Sequence, residues 1–142
     1  MNNILVPLDN LSKISLNAAR YAVEFAKRSN SMPIFLFLSK NDFTKSDSVV
    51  KNISQTEGRR KEIKDKIDLL VNQSAEKGIE IEQHECSGEY IEKVCEFVRN
   101  LNITVIVIAL PDKNDPRYKK IEKNISLLVQ MTSCRILTVK KK

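Results

Sequence analysis

Apolar residues along this chain alternate between two rhythms. Continuous apolar runs occupy residues 3–8 (NILVPL), 33–38 (PIFLFL) and 103–109 (ITVIVIA). Runs of this length, bounded by turn residues, are expected of strands covered on both faces. Between the runs, apolar residues recur at helical spacing. Ile14, Ala18, Tyr21, Ala22, Phe25 and Ala26 make one stripe through about Arg28, with Ser12 as its N-cap. Ile63, Ile67, Leu70, Val71 and Ala75 make a second, and Gly78 suits the position just past its end. Ile91, Val94, Cys95, Val98 and Leu101 make a third. Ile121, Ile125, Leu128 and Val129 make a fourth, with Pro116 placed at its start.

Two further segments complete the pattern. Residues 79–86 (IEIEQHEC) begin with strict alternation, the mark of a strand with one wet face at a sheet edge. Residues 135–139 (RILTV) close the chain as a last strand, followed by a lysine tail. Pro7 lacks a backbone N–H and is expected near the end of the first strand. Residues 41–57 are polar with scattered apolar positions, so a loop, or a loop with a weak helical turn, is expected there.

The resulting order is β-α-β-α-β-α-β-α-β. It predicts one domain over residues 1–142, of class α/β: a doubly wound three-layer sandwich around a five-stranded parallel sheet of order 3-2-1-4-5, Rossmann-like. Ligands in such sheets lie beyond the carboxyl ends of the strands, where the strand order reverses. Here that crevice falls between the first and fourth strands. Asp9 and the loop after Ala109 are expected to face it.

Composition narrows the function classes. The chain has 142 residues, 42% hydrophobic and 30% charged, which is ordinary for a soluble domain. Met1-Asn2-Asn3 leads straight into a short apolar run, too short for a signal-peptide core, and the longest apolar run is far shorter than a membrane span. A cytoplasmic location without membrane insertion is expected. The three cysteines, Cys86, Cys95 and Cys134, have no C-x-x-C spacing and read as reduced, buried thiols. The net charge of +6 is scattered over interrupted clusters without interleaved aromatic residues, so no specific nucleic-acid partner is expected. The single histidine, His84, sits on the alternating strand with no nucleophile at an interpretable spacing, and no metal cluster is evident. No catalytic residues are assigned, and the chain is not expected to be an enzyme.

The turn after the fourth strand reads Leu110-Pro111-Asp112-Lys113-Asn114-Asp115-Pro116. A phosphate-binding loop needs free backbone N–H groups and close backbone approach. Two prolines remove donors, and two aspartates repel phosphate.

Along nearly its whole length the sequence resembles the universal stress protein family. The resemblance is carried by ILVPLDNLSKISLNAARYA (residues 4–22), by Ser87-Gly88-Glu89-Tyr90-Ile91 as the small Gly-acidic turn, by ITVIVIAL (residues 103–110), and by SCRILTV (residues 133–139), where Arg135 replaces a usual proline. It implies an adenine nucleotide alpha hydrolase-like fold. Nucleotide-binding members carry Gly-x2-Gly-x9-Gly-(Ser/Thr) after the fourth strand. Aligned without a gap, those positions fall on Ala109, Asp112, Glu122 and Lys123, and all four depart from the pattern. Asp9, which in the family contacts the nucleoside end of ATP, is present.

The candidate crevice is therefore a degenerate nucleotide site: Asp9, Leu38, Ala109, Asp112, Lys113, Glu122 and Lys123. The expectation is a non-catalytic, dimeric stress-response or regulatory module without a cofactor. It would not bind ATP in the family manner, and its protein partner is unknown. One alternative is an adenine-nucleotide sensor holding AMP or ATP through Asp9 and the backbone near Leu38, with phosphates reaching Lys40, Lys113 or Lys123. Another is a stand-alone relative of a transporter regulatory domain. The resemblance implies homodimers through antiparallel pairing of the last strand. Arg135, Ile136, Leu137, Thr138 and Val139 form the candidate interface, because an edge strand offers unpaired backbone groups.

Overall fold

The computed structural model describes residues 2–9, 11–39 and 50–140. Its elements are β1 (Asn3–Leu8), α1 (Lys13–Ser29), β2 (Met32–Ser39), α2 (Val50–Glu76), β3 (Glu82–Ser87), α3 (Tyr90–Asn100), β4 (Ile103–Leu110), α4 (Tyr118–Met131) and β5 (Arg135–Lys140). All strand pairs are parallel, and the sheet order is β3-β2-β1-β4-β5, as the sequence predicts.

Two apolar layers clamp the sheet. On one face α1 and α2 set Ala19, Ala22, Val23, Ile63 and Ile67 against Ile4, Val6, Phe35 and Val107. On the other, α3 and α4 set Val94, Cys95 and Leu128 against Leu5, Ile34, Leu36 and Ile106. The central strands β1 and β2 are buried almost throughout, whereas β3 alternates between half-buried and exposed positions. That difference is why β1 and β2 are continuous apolar runs and β3 is not.

The helix ends follow their local chemistry. Ser12 precedes α1, and its backbone N–H donates to Ser15 Oγ at 3.3 Å. Asn30 ends α1 in the left-handed region at φ 53°. Gly78, at φ 83°, ends α2: Ile79 N–H donates to Ser74 O at 2.8 Å, and Gly78 N–H to Ala75 O at 3.0 Å. This pair of bonds satisfies carbonyls that the helix leaves open. Gly88 occupies the turn before α3 at φ 141°. Glu89 then caps α3, its carboxylate accepting from Ile91 N–H at 3.1 Å and Glu92 N–H at 2.7 Å.

Three boundaries differ from the sequence expectation. Helix α2 begins at Val50, so residues 50–57 are helical rather than loop. That stretch has no apolar stripe to announce a helix. It extends one that Ile63 and Ile67 anchor, and extension is favourable once the nucleus exists. Residues 41–49 lie outside the described residues. Strand β3 begins at Glu82, and Ile79 and Ile81 before it pack on the α1/α2 core without joining the ladder. Helix α4 begins at Tyr118; Pro116 sits in the turn before it, because Asp115 and Arg117 close that turn by side-chain bonding.

One feature of β1 shapes the site. Its ladder to β4 ends at Leu5 opposite Ile106, while its ladder to β2 continues through Pro7 opposite Leu36 and Leu8 opposite Phe37. Pro7 is thus near the strand end, as expected, and sits where the β4 side no longer pairs. Beyond Leu5 the two strands part, and the crevice opens between them.

Candidate functional site

The crevice between the ends of β1 and β4 is bordered by Asp9 on one side and by Ala109 and Pro111 on the other. The start of α3 supplies Tyr90, and the start of α4 supplies Arg117, Ile121 and Asn124. The cavity they leave measures only about 40 Å³. A buried water needs ~10–15 Å³ on this measure, so the space suits a few waters. Ligand pockets run from about 300 Å³ upward.

Arg117 lines the crevice and is tied down by its neighbour. Its Nε donates to Asp115 Oδ1 at 3.0 Å, and its terminal nitrogen to Asp115 Oδ2 at 2.8 Å. Asp115 Oδ1 also accepts from the Arg117 backbone N–H at 2.9 Å. This forked geometry fixes the guanidinium in plane. The hydrogen bond that Arg117 donates to Asp115 raises the Arg117 pKa, burial opposes that rise, and the charges of Asp115 and Asp9 add to it. Burial also pushes the Tyr90 hydroxyl well above the usual tyrosine range, with the charge of Asp9 adding to the shift. Asp9, itself exposed, thus lies within electrostatic reach of the Tyr90 phenol and the Arg117 guanidinium.

The loop after β4 is folded tightly. Leu110 and Pro111 are buried, and Asp112, Lys113 and Asn114 are exposed. Asp115 N–H donates to Asp112 O at 2.9 Å, and Tyr118 N–H to Asp115 O at 3.0 Å. These bonds spend backbone donors within the loop that a phosphate cradle would direct outward. Glu122 is exposed and hydrogen-bonded to the Tyr118 hydroxyl, which raises the tyrosine pKa.

Of the residues singled out from sequence, Asp9 and Ala109 meet in the crevice. Leu38 instead borders a separate cleft over β2 and β3. Asp112 borders a groove beside α1. Lys113, Glu122 and Lys123 lie on the exposed surface, and Lys40 is outside the described residues. Sequence reasoning missed Tyr90, Arg117 and Asn124. The only linear signal for Arg117 was its place beside Asp115 just ahead of a helical stripe.

The other candidates stand as follows. Strand β5 lies at the sheet edge and pairs with β4 alone among the described residues. Arg135 and Thr138 are exposed, while Ile136, Leu137 and Val139 are half-buried against the two core layers. His84 packs edge-on against Phe97 at 5.3 Å, and its Nε2 lies 3.4 Å from Glu82 Oε1. Burial is the largest cause raising the pKa of each of Cys86, Cys95 and Cys134, so none is an activated thiol. No group of three potential metal ligands occurs among the described residues, and no helix there is long and apolar enough to cross a membrane.

Comparison with known proteins agrees with this architecture. The profile of the universal stress protein family matches residues 1–140. Universal stress protein UspA from Lactobacillus plantarum superposes with a TM-score of 0.71 at 18% identity, covering 97% of each chain. A universal stress protein from Archaeoglobus fulgidus in complex with dAMP gives 0.59 at 16% identity, covering 99% of this chain and 98% of that one. One from Arabidopsis thaliana with AMP bound gives 0.56 at 16% identity, covering 100% and 93%. No curated protein sequence matches the chain significantly.

Proposed function

The chain belongs to the universal stress protein family, and from that premise we propose that it is a non-catalytic, homodimeric regulatory module of the cytoplasm that does not hold ATP in the manner of the family's nucleotide-binding members. The observation that carries this reading is the crevice of about 40 Å³. Tyr90 and Arg117 line it, Arg117 is already forked to Asp115, and its charge acts on Asp9. A nucleotide would have to displace that fork, and the loop beyond it offers Asp112 and Glu122 at the aligned positions of the family's glycines rather than free N–H groups.

The dimer would form by antiparallel pairing of two β5 strands. Exposed Thr138 would lie across the seam, with Ile136, Leu137 and Val139 supplying apolar area. Thr138→Lys adds like charges across a two-fold axis without removing core volume. Light scattering of this variant should report monomer at concentrations where the unchanged protein is a dimer; a monomeric unchanged protein overturns the assembly.

A second reading has one observation in its favour. Asp9 is retained beside Ala109 in the crevice, and relatives of this fold have been solved with AMP and dAMP. The two readings part in a thermal melt with millimolar Mg-ATP. A ligand at 100 times its Kd stabilises by about 2.7 kcal/mol, which is a shift of several degrees in Tm. The non-binding reading expects none.

A further inference from the structure

The two edges of the sheet are guarded differently. Strand β3 pairs with β2 alone among the described residues, through six consecutive register partners without a bulge. Just past the strand, Gly88 N–H donates to Ser39 O at 3.2 Å. Backbone direction along a strand alternates residue by residue, so Glu82, His84, Cys86 and Gly88 turn their N–H and C=O groups toward β2. Gln83, Glu85 and Ser87 turn theirs outward. These three are also the exposed positions of the strand. Natural edges are commonly blunted by lysine, proline or a bulge. Strand β5 is bounded by Arg135 and Lys140. Strand β3 has neither a basic residue nor a proline.

The charge of β3 is opposite to that of the chain. Residues 80–89 hold four glutamates and neither lysine nor arginine, in a chain of net charge +6. Glu89 is engaged as the cap of α3. The other three divide between the two faces of the strand. Ile81 packs on the α1/α2 layer and Cys86 on the α3/α4 layer. By alternation Glu80 and Glu82 lie on the α3 face and Glu85 on the α2 face. On the α2 face Lys64 donates to Gln83 Oε1 at 3.5 Å, and Arg60 and Lys61 border the same hollow as Glu85. That face already has its cations. On the α3 face Glu82 lies 3.4 Å from His84 Nε2, Lys93 is 3.5 Å from Glu96, and Glu80 is exposed.

We propose that β3 accepts an extended segment of a partner protein as a sixth strand, with lysine or arginine at alternate positions of that segment. The outward backbone groups of Gln83, Glu85 and Ser87 would hold it by main-chain hydrogen bonds. Its basic side chains would lie on the α3 face against Glu80 and Glu82, and its uncharged ones beside Lys64. The same charges select against self-pairing, because two β3 edges brought together set glutamate against glutamate. The edge is open whether or not β5 pairs, so the inference stands apart from the proposed dimer and from the Asp9 crevice.

The probe is a fluorescein-labelled peptide alternating lysine and threonine, titrated with the intact chain and followed by anisotropy. It should saturate, and a peptide with glutamate in place of lysine should not bind. N-methylation of every second amide of the probe should abolish binding in one phase and spare it in the other, because only one phase faces β3. Amide exchange at Gln83 and Glu85 should slow in the complex, while that of His84, already bonded to β2, stays as it was. Glu80→Gln/Glu82→Gln should weaken binding by about threefold, and Glu80→Lys/Glu82→Lys by about tenfold. No saturation overturns the proposal. Equal binding by both N-methylated phases, or exchange protection away from β3, reduces the effect to loose charge attraction and overturns it as well. Assemblies larger than a dimer that dissociate in Glu80→Lys/Glu82→Lys would assign the edge to β5 of a second copy, which also overturns it.

Discussion

Two of the hollows at the carboxyl rim of this sheet differ in what their walls touch. The crevice between β1 and β4 is nearly filled: its cation is already forked to Asp115, its tyrosine is half-buried, and about 40 Å³ remains. The cleft over β2 and β3 keeps about 480 Å³ and an edge of basic side chains. Both arise from the same topology, which places every strand end at one rim. The contrast shows that a fold fixes where a site can be, while a few loop and helix-start residues decide whether there is room in it.

The largest expected effect comes from emptying the closed hollow. Tyr90→Ala should cost about 3 kcal/mol in urea denaturation, because it removes a packed ring. Phe37→Leu in the open cleft should cost only about 1 kcal/mol, since it keeps an apolar side chain of similar bulk. A cost for Tyr90→Ala no larger than that for Phe37→Leu would mean that the half-buried Tyr90 ring packs little.

Alkaline pH provides the next test. The folded pKa of Tyr90 is raised, so its stabilising contribution is complete below the unfolded value of ~10 and is lost as pH rises through and beyond it, at about 1.4 kcal/mol per pH unit. The three cysteine thiols are shifted in the same direction and add to this loss from lower pH. Melts between pH 9 and 11 should therefore fall less steeply for Tyr90→Phe than for the unchanged protein. An identical slope would mean that the phenol is not held in its neutral form.

Opening the mouth is a smaller perturbation. Arg117→Ala breaks a fork whose side chains are 38% and 23% exposed, so solvent screening limits the cost to about 1 kcal/mol. Its use lies in combination. Asp112→Gly/Glu122→Gly alone should not create ATP affinity, because Arg117, forked to Asp115, still lines the narrow crevice. Adding Arg117→Ala should produce weak, measurable binding by calorimetry. Affinity appearing in the double variant would show that loop charge, not filled space, keeps ATP out.

How much of this was legible in the sequence follows the same division. The sheet order and both core layers were readable because continuous runs such as ITVIVIAL and stripes such as Ile63–Ile67–Leu70 report burial directly. The start of α2 at Val50 was not, because residues 50–57 carry no apolar period in the sequence. Asp9 and Ala109 were readable as crevice residues from their places at strand ends. Tyr90 and Arg117 were not. Tyr90 reaches the crevice only because Gly88 and Glu89 turn the chain into α3, and Arg117 only because Asp115 folds the loop back. Such contacts depend on loop closure rather than on periodicity.

The central claim is that the Asp9 crevice is closed to ATP by the chain's own side chains. Calorimetric titration of nucleotide-free protein with Mg-ATP, run in parallel on Asp9→Ala, tests it most directly. The account expects no saturable heat that depends on Asp9. Saturable micromolar binding that disappears in Asp9→Ala would contradict it and make the crevice a nucleotide site with an unconventional loop.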